Sequence, residues 1–560
     1  MTTPDINKVR VEFNQRVPMR DGITLSADIY FPLDASAAKK YPVILIRTPY
    51  MKLSESVLVP ANYFAEHGYI FVTMDVRGRG DSDGQFVPYV NDGQDGYEAI
   101  EWCASQPWSD GNVGTMGSSY PGRIQWLTAL HQPPHLRAMI VRVTPSDPFV
   151  ETPTGLPSPM HLCWLHFVSG RMNQLMAAVD WTRVYEHLPM ITMDEKIGRS
   201  IPHWHTDIEH AQLDDYWEPI CYQNKFDRLN VPVLHISGWY DDEQIGTPLN
   251  YIGMTTRAAT REARAAQKLL MGPWGHQVNT VSKLGEVDFG PQALIDLRAE
   301  ELRWFDRWLK GITNETTRDE APVRIFVMGA NEWRDEREWP LARTQWTPFY
   351  LHSAGRANSR FGDGTLSTTM PSAQELPDNY RYDPARPVPF ITEPTSSQIG
   401  GPDDYSAIER RDDVLVYVTE PLTEDIEVTG PIRVDLYASS SAPDTDFTAK
   451  LVDIWPTGFT QRLCDGIVRA RFRDGMDRPS LIEPGKVYHY SIDCWNTSQV
   501  FKVGHRIGLE ISSSAFPKYD RNLNTGAALG VTEEMVVAEL RIYHDVQRAS
   551  AVVLPVIAEV

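Results

Sequence analysis

Cysteine is scarce in this 560-residue chain: five residues (Cys103, Cys163, Cys221, Cys464, Cys494), odd in number, scattered and forming no C-x-x-C pair. That argues against a disulfide framework and a cysteine zinc site, and predicts reduced, mostly buried thiols in a reducing compartment. Long apolar runs are missing too. None approaches the roughly 20 residues needed to span a bilayer. The opening Met1–Lys8 lacks a basic segment followed by an apolar one, so no secretory signal is read there. Positive charge is in deficit: 53 Lys+Arg against 74 Asp+Glu leave a net charge of -21. This favours solubility and argues against nucleic acid or an anionic membrane surface as a partner. The expectation is a soluble, cytoplasmic protein, with a homodimer left open.

What is present is globular. Hydrophobic residues make up 42% and aromatics 10%, enough for a sizeable core, and the length exceeds what one core organises. Residues 1–147 alternate strands and helices. Val9–Phe13 and Thr24–Tyr30 have period two and read as an antiparallel entry. Pro42–Ile46, Tyr69–Met74 and Ala138–Val141 are continuous apolar runs, as in parallel strands buried on both faces. Asp92–Ala104 has helical spacing after an acidic start. Residues 148–228 carry Pro-rich turns and two helical stretches, His161–Met172 and Asp207–Asn224, the latter broken at Pro219; they read as a helical insertion. Strands resume at Val231–Ile236 and Leu269–Met271, and a helix is expected over Leu294–Lys310 with Gly311 as its stop, so 229–345 completes the first domain. From 346 to 560 short strands recur between turns (414–417, 432–436, 450–454, 507–511, 538–542), which predicts an all-β sandwich or jelly roll. The Pro/Asp/Ser-rich stretch 369–405 reads as a long loop at its edge. The fold class is α/β with a parallel sheet, a helical insertion and an all-β C-terminal domain.

Ser119 carries the chemistry. Val113–Met116 reads as a buried strand, Gly117–Gly122 as a turn and Arg123–Leu130 as a helix, an elbow that would hold a serine hydroxyl clear of the sheet beside free N–H groups. The alternative is an ordinary serine in a tight turn. The spacing departs from G-x-S-x-G, because Pro121 stands where glycine is expected and Gly122 follows; proline is tolerated in a first helical turn. A serine needs a base and a group that orients the base, and in doubly wound hydrolases the order is Ser, Asp or Glu, His. Asp241 follows the strand through Ile236, and His276 leaves the strand through Met271 by a Gly/Pro loop. Singly, Asp241 could be a loop carboxylate and His276 a solvated imidazole; together they occupy successive strand ends in the required order. The backbone N–H of Tyr120 and the hydroxyl of Tyr50, in the loop after 42–46, are candidate oxyanion donors, although Tyr50 could equally be a packed aromatic.

The chain resembles the CocE/NonD hydrolases, a family that takes in cocaine esterases, α-amino acid ester hydrolases and X-Pro dipeptidyl-peptidases, with the cocaine-esterase branch the nearest. The stretches that carry the resemblance include Arg47–Tyr50, Asp75–Gly78, Gly111–Gly114, Gly117–Tyr120, Gly238–Asp241, Gly272–His276, Asp444–Asp453 and Ser512–Asn522. They cover nearly the whole chain and are weakest over 148–228. The resemblance implies an α/β-hydrolase domain with an inserted helical cap and a C-terminal jelly roll. It also implies a Ser119–His276–Asp241 triad and oxyanion donors at Tyr50 and Tyr120, with no cofactor and no metal. Even Pro121 fits, because the family pattern is G-x-S-Y-x-G. Two residues after the triad aspartate, the cocaine-esterase branch carries an aromatic residue, whereas the α-amino acid ester hydrolase branch carries a carboxylate that receives a substrate ammonium; here that position is Glu243. The alternative for Glu243 is a solvated carboxylate at a helix start. No further carboxylate occurs in the cap segment His161–His166. Trp164, His166 and Phe167 are candidate acyl-pocket residues, or else core.

Other signals are weaker. His203, His205, His210 and Asp214 match no zinc spacing. Arg77-Gly78-Arg79-Gly80 lacks the ending of a phosphate loop and reads as the turn after the second buried strand. The expected activity is a serine hydrolase cleaving carboxylic esters of small organic acids. Its rivals are an amide-cleaving acylase or X-Pro dipeptidyl-peptidase and, in another class, an inactive carbohydrate-binding protein.

Overall fold

Parallel strands buried on both faces form the centre of the N-terminal half. The computed structural model describes residues 9–36, 38–313, 320–395 and 399–558; the reading of Met1–Lys8 lies outside them. The first sheet takes its strands from β1 (Val9–Pro18), β2 (Thr24–Pro32), β3 (Tyr41–Thr48), β4 (Ile70–Asp75), β5 (Ser109–Ser118), β6 (Leu136–Arg142), β7 (Val233–Gly238) and β8 (Gln267–Gly272). A short hairpin follows, β9 (Lys283–Leu284) with β10 (Val287–Asp288), before β11 (Val323–Val327) and β12 (Glu332–Glu336) complete the sheet. The order is β1-β2-β4-β3-β5-β6-β7-β8-β11-β12. Pairing is parallel from β4 through β11 and antiparallel at both ends, as the two-faced apolar runs and the period-two entry require.

Helices pack on the sheet: α1 (Glu55–Glu66), α2 (Asp92–Ser105) and α3 (Tyr120–Ala129). Between β6 and β7 only short helices lie among the described residues, α4 (His161–Phe167), α5 (Trp181–Tyr185) and α6 (Pro202–Glu209), with 3₁₀ segments between and after them, the longest of them Met190–Ile197. They enclose a core of their own that includes Met160, Leu165, Trp181, Tyr185 and Trp204. The two longer helices expected here are not formed. His161–Met172 stops at Phe167. Asp207–Asn224 is not one helix, because the Asp214 carboxylate takes up His210 Nδ1 at 2.8 Å and the Tyr216 N–H at 3.0 Å in a local turn, and Pro219 sits in a 3₁₀ turn. After β7 come α7 (Gly246–Arg257), α8 (Arg261–Ala265) and α9 (Leu297–Lys310). Helix α9 starts three residues later than the sequence predicts because the Asp296 side chain caps it, accepting from the Ala299 N–H at 3.0 Å. Gly311 ends it in the left-handed region at φ 68°.

The C-terminal half is all-β, through β13 (Thr344–His352), β14 (Thr365–Ser367), β15 (Asp378–Tyr382), β16 (Leu415–Val418), β17 (Ile426–Ser440), β18 (Asp446–Ile454), β19 (Thr460–Arg469), β20 (Tyr488–Phe501), β21 (Arg506–Ser512), β22 (Ala538–Tyr543) and β23 (Ala551–Ile557). The strands expected there are present. The 369–405 stretch is not wholly loop: β15 lies within it and pairs with β22. Its inward face is Asp378, Tyr380 and Tyr382, a polar-led alternation that hides the strand from an apolar-pattern reading. All five cysteines are buried and unbridged. Among the described residues no helix is long and apolar enough to cross a membrane.

The two halves are joined at the loop after β7. The side chain of Gln244 donates to the Asn496 carbonyl at 2.5 Å and accepts from its N–H at 3.2 Å, and Gln461 donates to the Tyr240 hydroxyl at 3.0 Å. Two strands of the all-β half, β19 and β20, thereby fix the segment that carries Asp241, Asp242 and Glu243.

Candidate active site

Parallel strands deliver their following residues to one edge of the sheet, and neighbouring strands deliver them side by side. Tyr50 follows β3, Ser119 follows β5, Asp241 follows β7 and His276 follows β8. Ser119 sits between β5 and α3 at φ 61° and ψ -131°, a strained conformation for a residue with a side chain. The strain is held by hydrogen bonds: its N–H donates to the carbonyls of Arg142 and Val143, each at 3.0 Å, and its carbonyl accepts from Gly122 and Arg123. A Cβ on Gly117 would lie 2.5 Å from Pro121 and one on Gly122 2.5 Å from the Thr144 hydroxyl. The second close approach therefore falls at 122, not 121, which is why proline is accepted at 121.

Asp241 is 2% exposed. It accepts from Ser237 Oγ at 2.7 Å and from the Glu243 N–H at 3.2 Å, and it meets His276 Nδ1 at 2.8 Å. Asp242 comes within 3.4 Å of the same nitrogen. Burial alone would lower the pKa of His276, but Asp242, the hydrogen bond to Asp241 and Glu243 together push it up to about 10. Asp242 itself is raised by burial to about 6. Glu243 is lifted well above the ordinary carboxylate range by burial, with Asp242 and Asp241 adding to the effect. Its Oε2 is buried with no hydrogen-bond partner, so it is not the solvated helix-start carboxylate of the alternative reading. Asp241, Asp242 and His276 are the one group of potential metal ligands found among the described residues. The imidazole nitrogen facing these acids already serves the bond to Asp241, and the set reads as a proton-handling group.

Tyr50 is fixed from the cap. Trp164 Nε1–H donates to its phenol oxygen at 2.9 Å, and the Ser119 side chain and the Tyr120 backbone N–H are further hydrogen-bonding neighbours. Burial raises the phenol to about 12, so it remains a donor at neutral pH. Arg79, donating to the carbonyls of Pro49 and Val168 at 2.8 Å each and to Asn173 at 2.7 Å, ties the Tyr50 loop to the cap. The Arg77–Gly80 segment is the expected turn, with Gly78 and Gly80 both at positive φ.

Tyr50, Ser119, Asp242, Glu243 and His276 line one cavity of about 500 Å³. Of the expected pocket residues, Trp164 lines it and His166 and Phe167 do not. The Phe167 ring packs against Tyr50 at 5.9 Å and His166 against Trp181 at 5.6 Å; helix α4 turns only one side toward the cavity. His205 and His210 are engaged with Asp194 and Asp214, each at 2.8 Å.

The cavity also holds residues that the sequence reading missed. The segment after β6 brings Asp147 and Glu151, and α6 brings Asp207, so the cap does supply carboxylates, from outside His161–His166. Burial raises both Glu151 and Asp207 to about 7. Arg123 joins them from α3, and the all-β half contributes Ile399, Trp495, Lys518 and Tyr519. Ile399 belongs to the 369–405 stretch read as a loop at the edge of the all-β half, of which residues 396–398 lie outside the described residues. Lys518 and Tyr519 lie in the Ser512–Asn522 stretch that carries the resemblance, the one signal marking them. Asp147 and Glu151 sit in a Pro-rich, aperiodic segment with no signal at all.

Comparisons with known proteins bear on the family and the fold. The X-Pro dipeptidyl-peptidase (S15 family) pattern matches residues 21–278, and that of the X-Pro dipeptidyl-peptidase C-terminal non-catalytic domain matches 314–553. Cocaine esterase from Rhodococcus sp. (strain MB1 Bresler) is 38% identical over 98% of this chain and 98% of its own. The solved structure of an α-amino acid ester hydrolase is 27% identical with a TM-score of 0.87, covering 99% of this chain and 98% of its own. An aminopeptidase from a marine sediment archaeon, Thaumarchaeota archaeon, is 25% identical with a TM-score of 0.86, covering 100% and 98%.

Proposed function

The chain belongs to the S15, or CocE/NonD, family of serine hydrolases, and from that premise we propose that it cleaves carboxylic esters of small organic acids through an acyl-enzyme on Ser119. His276 takes the hydroxyl proton as Ser119 Oγ attacks the acyl carbon. Asp241, on the other imidazole nitrogen, holds the ring and stabilises its cation. The carbonyl oxygen becomes an oxyanion received by the Tyr50 hydroxyl and the Tyr120 N–H. Collapse breaks the ester C–O bond, the alcohol leaves with the proton from His276, and water, deprotonated by the same imidazole, hydrolyses the acyl-serine. The 2.8 Å contact between His276 Nδ1 and Asp241, at the edge of the sheet that also presents Ser119 and Tyr50 to one cavity, carries this reading. A reducing, cytoplasmic setting belongs to the same proposal, supported by five buried unbridged thiols.

The test is labelling by a fluorophosphonate together with hydrolysis of an ester library. Wild type is expected to do both and Ser119→Ala neither. A folded wild-type protein that neither labels nor hydrolyses any ester overturns the proposal and leaves the carbohydrate-binding alternative.

A second reading, that the acyl group carries an ammonium, is favoured by Glu243 and Glu151. Glu243 presents a buried, unpartnered oxygen, and burial makes each carboxyl hold its proton more tightly than usual. An ammonium beside them would ionise them. Matched p-nitrophenyl esters and anilides of an α-amino acid and of the parent acid separate ester from amide preference and charged from neutral acyl groups.

A further inference from the structure

Arg123 lies one turn beyond Ser119 on α3, is 6% exposed, and lines the cavity. Its guanidinium stands 4.3 Å from the centre of the Tyr89 ring. Its recorded backbone contact is one bond from Nη2 to the Ile220 carbonyl at 3.0 Å, and its Nε is buried with no partner. No ion pair includes it among the described residues.

Other buried arginines of the chain are treated differently. Arg469 is gripped by Asp446 and Asp520, both at 2.8 Å. Arg47 pairs with Asp92 at 2.7 Å, and Arg79 donates to three oxygens. The carboxylates whose charge Arg123 feels are committed elsewhere: Asp147 to the N–H groups of Tyr222 and Gln223, at 2.8 and 3.0 Å, and Glu151 to the N–H of Ser146 at 2.7 Å. Lys518, the other cation of the cavity wall, is bound to Asp465 at 2.7 Å. A buried guanidinium with an unpartnered Nε and no carboxylate in direct contact keeps donors available to a ligand. A planar fork of N–H donors matches a carboxylate.

We propose that Arg123 is a specificity-determining residue that receives a carboxylate of the substrate, so that the enzyme prefers esters bearing a free acid group. The proposal rests on the serine hydrolase reading for its kinetics, though not for its binding. With Glu243 and Glu151 on the same cavity, it marks the site as one for an amphoteric molecule, an ammonium toward the glutamates and a carboxylate toward Arg123.

Two pairs of esters test it: mono-4-nitrophenyl glutarate against 4-nitrophenyl pentanoate, with the acid on the acyl half, and 4-acetoxybenzoate against phenyl acetate, with the acid on the alcohol half. In wild type one charged ester should exceed its neutral partner in kcat/KM by roughly tenfold or more, mainly through KM. Arg123→Met should abolish that ratio and Arg123→Lys should reduce it, because the charge stays and the fork is lost. Whichever pair responds says which half of the substrate meets Arg123. Calorimetric binding of glutarate and of 4-hydroxybenzoate, to wild type and to Ser119→Ala, reads the same site without turnover, and Arg123→Lys covers the case in which Arg123→Met fails to fold. If neither acid binds and neither ratio differs between wild type and the Arg123 variants, the proposal falls. If no ester is hydrolysed while an acid still binds through Arg123, the hydrolase reading fails alone.

Discussion

The indole Nε1–H of Trp164 donates to the phenol oxygen of Tyr50 at 2.9 Å, and this leaves the phenol's own proton to point elsewhere. A tyrosine that accepts from the cap in this way is ready to donate to an oxyanion at Ser119. Replacing Trp164 by Phe keeps the apolar ring that stacks on Tyr120 at 5.8 Å and removes only the donor. The expected outcome is a fall in kcat of about tenfold with KM little changed, while Tyr50→Phe lowers kcat by about 10²–10³. A Trp164→Phe enzyme altered in KM alone would assign the indole to substrate contact instead.

Asp241 orients His276 through Nδ1. Asp241→Asn should preserve the fold, since Ser237 can still donate to a side-chain oxygen there, and lower kcat by about 10⁴ by disfavouring the required tautomer. Steady-state rates alongside circular dichroism check this, and a loss of less than tenfold would remove Asp241 from the mechanism.

Asp242, 3.4 Å from the same nitrogen, is the foremost of the charges that raise His276. Removing an anion destabilises the imidazolium, so the free base persists to lower pH. The rising limb of kcat/KM for a neutral ester should therefore move to lower pH in Asp242→Asn, by roughly one to three pH units. A limb that stays in place, or moves up, contradicts the assignment of His276 as the base.

Glu243 and Glu151 have raised pKa values because burial disfavours their anions. An ammonium binds the anions, so KM for an α-amino ester should fall as pH rises through about 7, where Glu151 ionises, until the substrate amine itself loses its proton. KM for the parent acyl ester should stay flat. Glu243→Gln should raise KM for the amino ester by roughly tenfold or more and spare the parent ester. Equal losses on both esters would dismiss the ammonium role.

Arg469 is fully buried between Asp446 and Asp520 and also donates to the Thr154 carbonyl in the cap at 2.8 Å. Arg469→Met leaves two acids in the interior without a cation. The expected cost is about 3–5 kcal/mol, read in urea unfolding, with ester turnover weakened because the all-β half no longer holds the cap. A loss below about 1 kcal/mol would mean that the acids simply take up protons.

The sequence by itself determined the sheet, because continuous apolar runs such as Val43–Ile46 have no stable place except between two covered faces. It also placed Ser119, Asp241 and His276 at strand ends, because the elbow, the glycine turns and their order are local. It gave five strands of the all-β half through their apolar cores, left β13, β14, β19, β20 and β23 unnamed, and read β15 as loop because Asp378 replaces an apolar residue on its inward face. Tertiary structure alone decided what surrounds the nucleophile. The cap helices are too short to show a period, so their ends and the side they turn to the cavity depend on packing against Trp181, Trp204 and the loop near Ile399. Trp164 therefore reaches Tyr50 while His166 and Phe167 do not line the cavity. The charges of the pocket, Glu151, Asp207, Arg123 and Lys518, come from four distant segments. Their pKa shifts arise from burial and from charges brought together across the fold, which no local pattern of residues can record.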